Sequence, residues 1–239
     1  MVSEKTTGRN PEIIAEKEEE FLKKGKTLFL HSNSKAWISG VLAEDFSLSH
    51  TIEKNNKKFY SSVVAVSRES EVVDYVPIIV SERQLPKDKD ELKQWAKVSV
   101  GGAVKTCKKF NETTKQCFVQ ASVLEIDNEE KNENIVYLKG FVMIKPRLVQ
   151  TKSGKKILYV VLEIPLGKGK KSYISCMIWN HAAETAKEEI GEGDMVEIYG
   201  SFKSRTHIEE DPNNPGHDIK TEKFEMSVCS YAVLRRKKS

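Results

Sequence analysis

The sequence predicts a mainly β protein in which one small five-stranded unit occurs twice. Three observations support this: an internal repeat, a common order of elements in both copies, and a charged linker between them. The repeat centres on Gly40 and Gly140, in WISGVLAEDFSLSHTIEKNNKKFYSSVVAVSR and VYLKGFVMIKPRLVQTKSGKKILYVVLEIPL. At an offset of 98 residues, Tyr75 aligns with Tyr173 and WAKVSVGGAVKT aligns with GDMVEIYGSFKS. Such steady self-similarity indicates a duplicated domain.

Each copy predicts three strands, a short helical connection and two further strands, which is the order of an OB-fold barrel. The connection is PKDKDELKQW in the first copy, where Pro86 suits the first turn of a helix, and HAAETAKEEI in the second, which ends at Gly191. The predicted strands are 36–42, 59–67, 73–80, 97–105 and 117–126 in the first copy, and 135–143, 157–165, 172–179, 195–203 and 222–234 in the second.

The predicted organisation has four parts. An N-terminal extension (1–34) precedes the first OB fold (35–126), a charged linker DNEEKNEN (127–134) follows, and the second OB fold carries a basic C-terminal tail (135–239). In the extension, PEIIAEKEEEFL (11–22) has the pattern of a short amphipathic helix. That helix either caps the first barrel or binds a partner, and packing on its own domain is the more usual role.

Composition points to an intracellular, soluble protein. The 239 residues are 38% hydrophobic and 31% charged, and no apolar run is long enough to cross a membrane. The N-terminus lacks the apolar segment of a signal peptide, so we expect a cytoplasmic location. The four cysteines form no CxxC pair, which favours reduced thiols. The net charge of +4 is too small to indicate nucleic acid on its own, because RRKK (235–238) alone supplies as much.

No enzyme signature is present, so we expect no catalysis, no cofactor and no metal. The loop GKGKKS (167–172) lacks the earlier glycine of a phosphate-binding loop, and Ser172 opens a strand instead of a helix. The five histidines have no metal-ligand spacing. Binding chemistry is better represented than catalytic chemistry.

Aromatic residues recur at equivalent positions opposite the predicted core faces. Trp37 and Tyr137 match on the opening strands, and Tyr75 and Tyr173 match on the third strands, where Trp179 also lies. An exposed aromatic ring can stack a nucleobase, which stabilises the complex by about 1–3 kcal/mol per base without regard to sequence. Each of these rings also has an ordinary alternative role at a strand edge or an interface. Recurrence in both copies favours binding.

Basic residues in the turns around these rings are candidates for phosphate contacts. Phe110 and His207 follow the fourth strands and are candidates for a further stack at each hairpin. The basic candidates are Lys57, Lys58, Lys105, Lys108 and Lys109 in the first copy, and Lys139, Lys155, Lys156, Lys168, Lys170, Lys171, Lys203 and Arg205 in the second.

The second copy resembles the bacterial and phage-type single-stranded DNA-binding proteins. The resemblance lies in GFVMIKPRLVQTKSGKKILYVVLEIPL and SYISCMIWNHAAETAKEEIGEGDMVEIYGSFKSRT, with a strand ending in glycine, a basic turn, an aromatic at the start of the third strand, and a Gly-Asp turn after a helix. The first copy resembles the family more loosely.

The resemblance implies OB folds that wrap single-stranded DNA over aromatic and basic side chains. It implies that the stacking aromatics of the third strands are Tyr75 and Tyr173, one in each copy, and that a second one is Trp179, which Ser81 replaces in the first copy. The family commonly assembles four OB folds, so two per chain imply a homodimer. The family typically ends in an acidic tail with an apolar tip, whereas this sequence ends in RRKKS, and Pro77 interrupts the third strand of the first copy.

These observations predict a sequence-nonspecific single-stranded DNA-binding protein that protects exposed strands in replication, recombination or repair. Two alternatives stay open: an OB protein that binds single-stranded RNA, and an OB-fold module that assembles with other proteins. Nothing in the sequence recognises a 2′-hydroxyl, so the choice between DNA and RNA is open at this point.

Overall fold

The computed structural model describes residues 32–87, 89–108, 115–167, 169–210 and 218–236, together with Glu16 and Glu19. The predicted N-terminal helix over 11–22 otherwise lies outside the described residues.

Two β-barrels are built from twelve strands in chain order. The first barrel contains β1 (Ser34–Leu42), β2 (Ser47–Ile52), β3 (Lys57–Ser67), β4 (Val73–Ser81), β5 (Lys97–Lys108) and β6 (Lys115–Ile126). The second contains β7 (Glu133–Val142), β8 (Arg147–Gln150), β9 (Lys156–Pro165), β10 (Lys171–Trp179), α1 (Asn180–Glu189), β11 (Met195–Glu210) and β12 (Asp218–Arg235). The predicted class of two tandem OB folds is confirmed.

Each barrel has one short strand that the sequence pattern did not predict. β2 pairs with β3 and β8 pairs with β9, both antiparallel. All six residues of β2 are exposed, so no alternation of apolar and polar residues marks it. These strands lie at the two outer edges of the sheet.

The connection between the third and fourth predicted strands differs between the copies. The second barrel has the α-helix α1, whereas the first has two short 3-10 turns, Glu82–Gln84 and Lys89–Leu92. Leu85 is extended, with φ −73° and ψ 141°, which is the conformation favoured before a proline. Pro86 therefore separates the two turns and does not start an α-helix.

Each barrel closes where a glycine of its opening strand lies against the backbone of β3 or β9. β1 pairs with β3, and β7 pairs with β9, at the ends of the opening strands. A Cβ atom on Gly40 would lie 2.2 Å from the carbonyl oxygen of Ala65, and one on Gly140 would lie 2.5 Å from that of Glu163. Only glycine permits this approach, which explains the repeated glycine of the sequence.

The core follows the predicted alternation. In the second barrel Ile174, Cys176 and Ile178 of β10 are at most 1% exposed. On the opening strands, Ile38 and Leu42 of β1 correspond to Leu138 and Val142 of β7, and all four are buried. The four cysteines are reduced thiols, as expected; Cys117 and Cys176 are buried, and Cys107 and Cys229 are exposed.

A single antiparallel pairing joins the two barrels. β1 pairs with β7 over six residues, from Ser34 with Leu138 to Ser39 with Glu133, and Ala36 lies opposite its own counterpart Val136. The twelve strands therefore form one sheet, in the order β2-β3-β4-β6-β5-β1-β7-β11-β12-β10-β9-β8. The two copies are related by an approximate two-fold axis that passes between Ala36 and Val136.

Among the helices of the described residues, none is long and apolar enough to cross a membrane.

Candidate nucleic-acid interface

The outer face of β9 and β10 carries the best-formed aromatic surface of the second barrel. The antiparallel register places Tyr173 opposite Glu163, Met177 opposite Tyr159, and Trp179 opposite Ile157. Tyr159, Tyr173 and Trp179 are all partly exposed. Three rings on one face of two adjacent strands can stack successive bases.

Tyr159 is a candidate that the sequence interpretation missed. Its ring lies beside Met177 across the strand pair, and the guanidinium carbon of Arg147 on β8 lies 5.8 Å from the ring centroid. Alternation along KILYVVLEI puts Tyr159 on the face opposite Leu158 and Val160, so the signal was present in the sequence. The first copy has Ser61 at this position, so the repeat gave no reason to select it.

Met177 belongs to the packing of this face, contrary to its expected exposure. It is only 2% exposed, although it alternates with the core residues of β10. Trp179, two residues further on, is the last residue of β10 and immediately precedes α1, and it keeps part of its surface in solvent.

In the first barrel, Tyr75 is the most accessible ring of the corresponding face. It is 47% exposed and lies opposite Ala65. Ser81, which replaces the tryptophan, is 9% exposed, and its hydroxyl donates to Oε1 of Gln84 at 2.9 Å. This end of β4 therefore stabilises a turn and offers no ring to a base.

A second ring of the first barrel is already stacked within the protein. Phe59 on β3 is 8% exposed, because the imidazole of His50 lies parallel to it at 4.7 Å between centroids. Nζ of Lys57 lies 5.1 Å from the centroid of the same ring. This pair was not predicted, since β2 itself was not.

The backbones of Tyr75 and Tyr173 are held by the opposite barrel. The N–H of Tyr75 donates to Oγ of Ser204 on β11 at 3.0 Å, and the N–H of Tyr173 donates to Oγ1 of Thr106 on β5 at 3.4 Å. Ser204 and Thr106 are equivalent in the two copies. The backbone of each tyrosine is thus positioned by the long β-hairpin of the other barrel, β11–β12 for Tyr75 and β5–β6 for Tyr173.

Trp37 and Tyr137 are not available to stack a base, so the prediction that they bind nucleic acid is corrected. Trp37 is 2% exposed and Tyr137 is 9% exposed. Pairing of β1 with β7 brings them together with Ile135 and Tyr199. The rings of Tyr137 and Tyr199 are 5.2 Å apart, and the Tyr137 hydroxyl donates to Glu197 at 2.8 Å. The pairing between copies is a tertiary feature that the repeat pattern does not reveal.

Five of the predicted basic residues are already in ion pairs. Lys139 lies on the face of Tyr137 and pairs with Glu197 at 3.4 Å. Lys171 pairs with Glu163 at 2.6 Å, and this hydrogen bond raises the pKa of the ammonium group. The remaining three pairs are Lys58 with Glu82, Lys156 with Glu184, and Lys203 with Asp74.

Four other predicted lysines have no carboxylate partner within the described part of the chain: Lys57, Lys105, Lys155 and Lys170. Lys109, Phe110 and Lys168 lie outside the described residues, and only the backbone is described for Lys108, Arg205 and His207. In the basic tail, Arg236 lies 3.8 Å from Asp194, and the guanidinium of Arg235 lies over the Phe141 ring. The described part of the tail thus contacts the second barrel.

Within the described residues, no group of three or more His, Cys, Asp or Glu side chains could hold a metal ion.

Comparisons with known proteins agree with this geometry. Residues 133–227 match the model of the single-strand binding protein family. Comparison with curated protein sequences gives no match. Among solved structures, the wild-type single-stranded DNA binding protein from Thermus aquaticus is similar, with a TM-score of 0.66 and 17% identity over 86% of this chain and 95% of that one. A deletion mutant of the same Thermus aquaticus protein gives a TM-score of 0.66 and 16% identity over 86% of this chain and 96% of that one. Residues 133–227, in the second barrel, thus match the single-strand binding protein family, and the two-barrel fold is similar to that of the Thermus aquaticus protein.

Proposed function

We propose that this chain binds single-stranded DNA with little sequence preference, over the outer faces of β3–β4 in the first barrel and β9–β10 in the second. DNA binding itself follows from the family of the second domain, and the path over two faces is our proposal. Stacking on aromatic rings tolerates any sequence, because every base has a π-face.

The observation that carries this proposal is the equivalence of Tyr75 and Tyr173. Both are partly exposed, both lie near the start of the third predicted strand of their copy, and both donate their backbone N–H to a hydroxyl of the other barrel. A ring whose backbone is fixed loses less conformational entropy when a base stacks on it.

Phosphate contacts would come from lysines near these faces that have no carboxylate partner among the described residues. Lys57 is the first residue of β3, its equivalent Lys155 immediately precedes β9, and Lys105 and Lys170 lie near the junction of the barrels. Their contacts release counterions, so affinity should fall as salt concentration rises.

The second barrel should bind more tightly than the first. It offers Tyr159, Tyr173 and Trp179 on one face, whereas the first barrel offers Tyr75, and its Phe59 ring is already stacked on His50. If each ring stacks one base at about 1–3 kcal/mol, the difference is large enough to measure.

The test is a titration of oligo-dT and oligo-rU, at two salt concentrations, with the parent and with Tyr173→Ala and Tyr75→Ala. We expect saturable dT binding, weakened by about 1–3 kcal/mol in Tyr173→Ala and by less in Tyr75→Ala. Preference for rU would support the RNA alternative. No binding to either by a folded protein would support the protein-assembly alternative and refute our proposal.

We also propose a homodimer with four OB folds, acting without catalysis in the cytoplasm to protect exposed strands in replication, recombination or repair. The proposed folding units are 35–126 and 135–239, with 127–134 as the connection and 1–34 as an extension. Light scattering of the purified chain tests the dimer, and a monomer at micromolar concentration would contradict it.

A further inference from the structure

Two grooves lie at the junction of the barrels, and the approximate two-fold axis relates them. One lies beside Asp74 and Lys203 and is about 470 Å³ in volume; we call it the clamped groove. The other lies beside Ser172 and Lys105 and is about 940 Å³; we call it the basic groove. Asp74 corresponds to Ser172, and Lys203 corresponds to Lys105.

The clamped groove is neutralised by a buried carboxylate. Asp74 is 1% exposed and accepts hydrogen bonds from Nε of Arg68 at 2.6 Å and from Nζ of Lys203 at 3.0 Å. The backbone N–H of Ser204 also donates to it at 3.4 Å. Glu225 faces Lys203 across the β11–β12 ladder. Both cations that line this groove are therefore already paired.

Among the described residues that line it, the basic groove has no such carboxylate. Ser172, at the position of Asp74, is 1% exposed, and its hydroxyl accepts the N–H of Thr106 at 3.2 Å. The equivalent of Glu225 is Phe118, which faces Lys105 across the β5–β6 ladder. Lys105, Lys170 and Lys171 line the groove, and of these only Lys171 has a carboxylate partner among the described residues. Burial, and then the charge of Lys170, lower the pKa of Lys105, as expected for cations held near each other.

We propose that DNA crosses from one barrel to the other through the basic groove alone, with phosphates on Lys105 and Lys170 and a base against Phe118. The proposal rests on the proposed function and adds an asymmetric path to it. Phosphate fits the basic groove, because the phosphate of a bound strand would supply the negative charge that Asp74 supplies permanently in the clamped groove. A strand that crosses on one side of the axis follows one defined path over the protein.

The chain offers a reciprocal exchange as the test. Ser172→Asp introduces the carboxylate of the clamped groove next to Lys105, where the N–H of Thr106 can hydrogen-bond to it as the N–H of Ser204 does to Asp74. Asp74→Ser removes the carboxylate that Arg68 and Lys203 share. The double variant Lys105→Ala/Lys170→Ala introduces no charge at a buried position. It therefore still tests the proposal if Ser172→Asp does not fold.

The measurement is the slope of log affinity against log salt for oligo-dT of about 40 nucleotides, which spans both barrels, and of about 8 nucleotides, which one barrel accommodates. On the long strand, the double variant should lower the magnitude of the slope by about 1.4, and Ser172→Asp by about 0.7, because each lost phosphate contact contributes about 0.7. Asp74→Ser should raise it. The short strand should show smaller changes.

The control is Lys187→Ala on the exposed side of α1, which changes the net charge by the same amount as Ser172→Asp and should leave the slope unchanged. An unchanged slope in both Ser172→Asp and the double variant, with tight parent binding, would overturn the asymmetric path and leave the proposed function intact. If the parent does not bind the long strand, the proposed function itself fails.

Discussion

Trp95 and Gly193 occupy the same position in the two barrels and share a left-handed backbone, with φ of 74° and 83°. Both precede the fourth predicted strand, and the N–H of each donates at 2.8 Å to the end of its opening strand, to Leu42 O and Val142 O respectively. Glycine adopts this conformation freely, whereas a tryptophan does so with strain. The indole of Trp95 is also 72% exposed, so little packing offsets the strain.

Trp95→Gly should therefore stabilise the protein. Relief of the left-handed strain contributes about 1–2 kcal/mol, of which the greater freedom of glycine in the unfolded chain offsets about 0.4–1 kcal/mol. Thermal unfolding measures the difference. Gly193→Ala should have the opposite effect, and a lower stability of Trp95→Gly would mean that the indole makes contacts that outweigh the strain.

Trp37→Ala should weaken folding and leave base stacking unaffected, in contrast to Tyr173→Ala. Trp37 is packed at the pairing of the two barrels, so its loss should lower the free energy of unfolding by about 3–5 kcal/mol. Denaturant unfolding and dT titration of both variants separate the two roles. A folded Trp37→Ala with tenfold weaker dT binding would restore Trp37 as a binding residue.

Gly140→Ala should destabilise the second barrel by about 1–3 kcal/mol, because its methyl group would displace the backbone of Glu163. Gly191→Ala is the matched control, since a Cβ there meets only the carboxylate of Asp194 at 3.3 Å. Equal stability of the two variants in urea would contradict the close approach of β7 and β9.

Asp74 should make stability depend on acid pH. Burial opposes its ionisation, but hydrogen bonds from Arg68 and Lys203 outweigh burial and hold its pKa below the ordinary value of 3.8. A lowered folded-state pKa means that the stabilisation is complete above the ordinary pKa and is lost as pH falls through the folded-state value. The parent should therefore exceed Asp74→Asn in stability at pH 6, and the gap should narrow below pH ~4. A constant gap from pH 6 to about pH 2 would refute this.

Thiol modification should distinguish two pairs of cysteines. Burial, followed by the charges of Cys107 and Glu225, raises the pKa of Cys117 to about 12, and burial also raises the pKa of Cys176. Because the thiolate is the nucleophile, iodoacetamide should label exposed Cys107 and Cys229 in the native protein, and the buried pair only after denaturation. Mass spectrometry counts the adducts, and rapid labelling of all four thiols would contradict the buried positions.

The sequence predicted what depends on local alternation and on the repeat. The sequence correctly predicted that Ile174, Cys176 and Ile178 face the core. It also correctly predicted that Tyr75 and Tyr173 face outward, because the two-residue period of a strand decides both. The repeat also located the paired glycines, whose close approach to β3 and β9 explains why both copies contain them.

The sequence did not reveal what depends on contacts between the copies. Trp37 has the alternation of an exposed residue, yet pairing of β1 with β7 covers it. The ion pair of Lys203 with Asp74 joins residues 129 positions apart, and no local pattern distinguishes Lys203 from Lys105. The fully exposed strand β2 had no burial signal at all.

The joining of two copies in one chain has a consequence for how the grooves can evolve. In a dimer of identical single-barrel chains, any substitution appears on both sides of the two-fold axis, so the two junctions must stay alike. Here Asp74 and Ser172 are encoded separately, and each can change without its counterpart. Covalent fusion thus allows the clamped groove to hold the two barrels together while the basic groove stays open to a ligand.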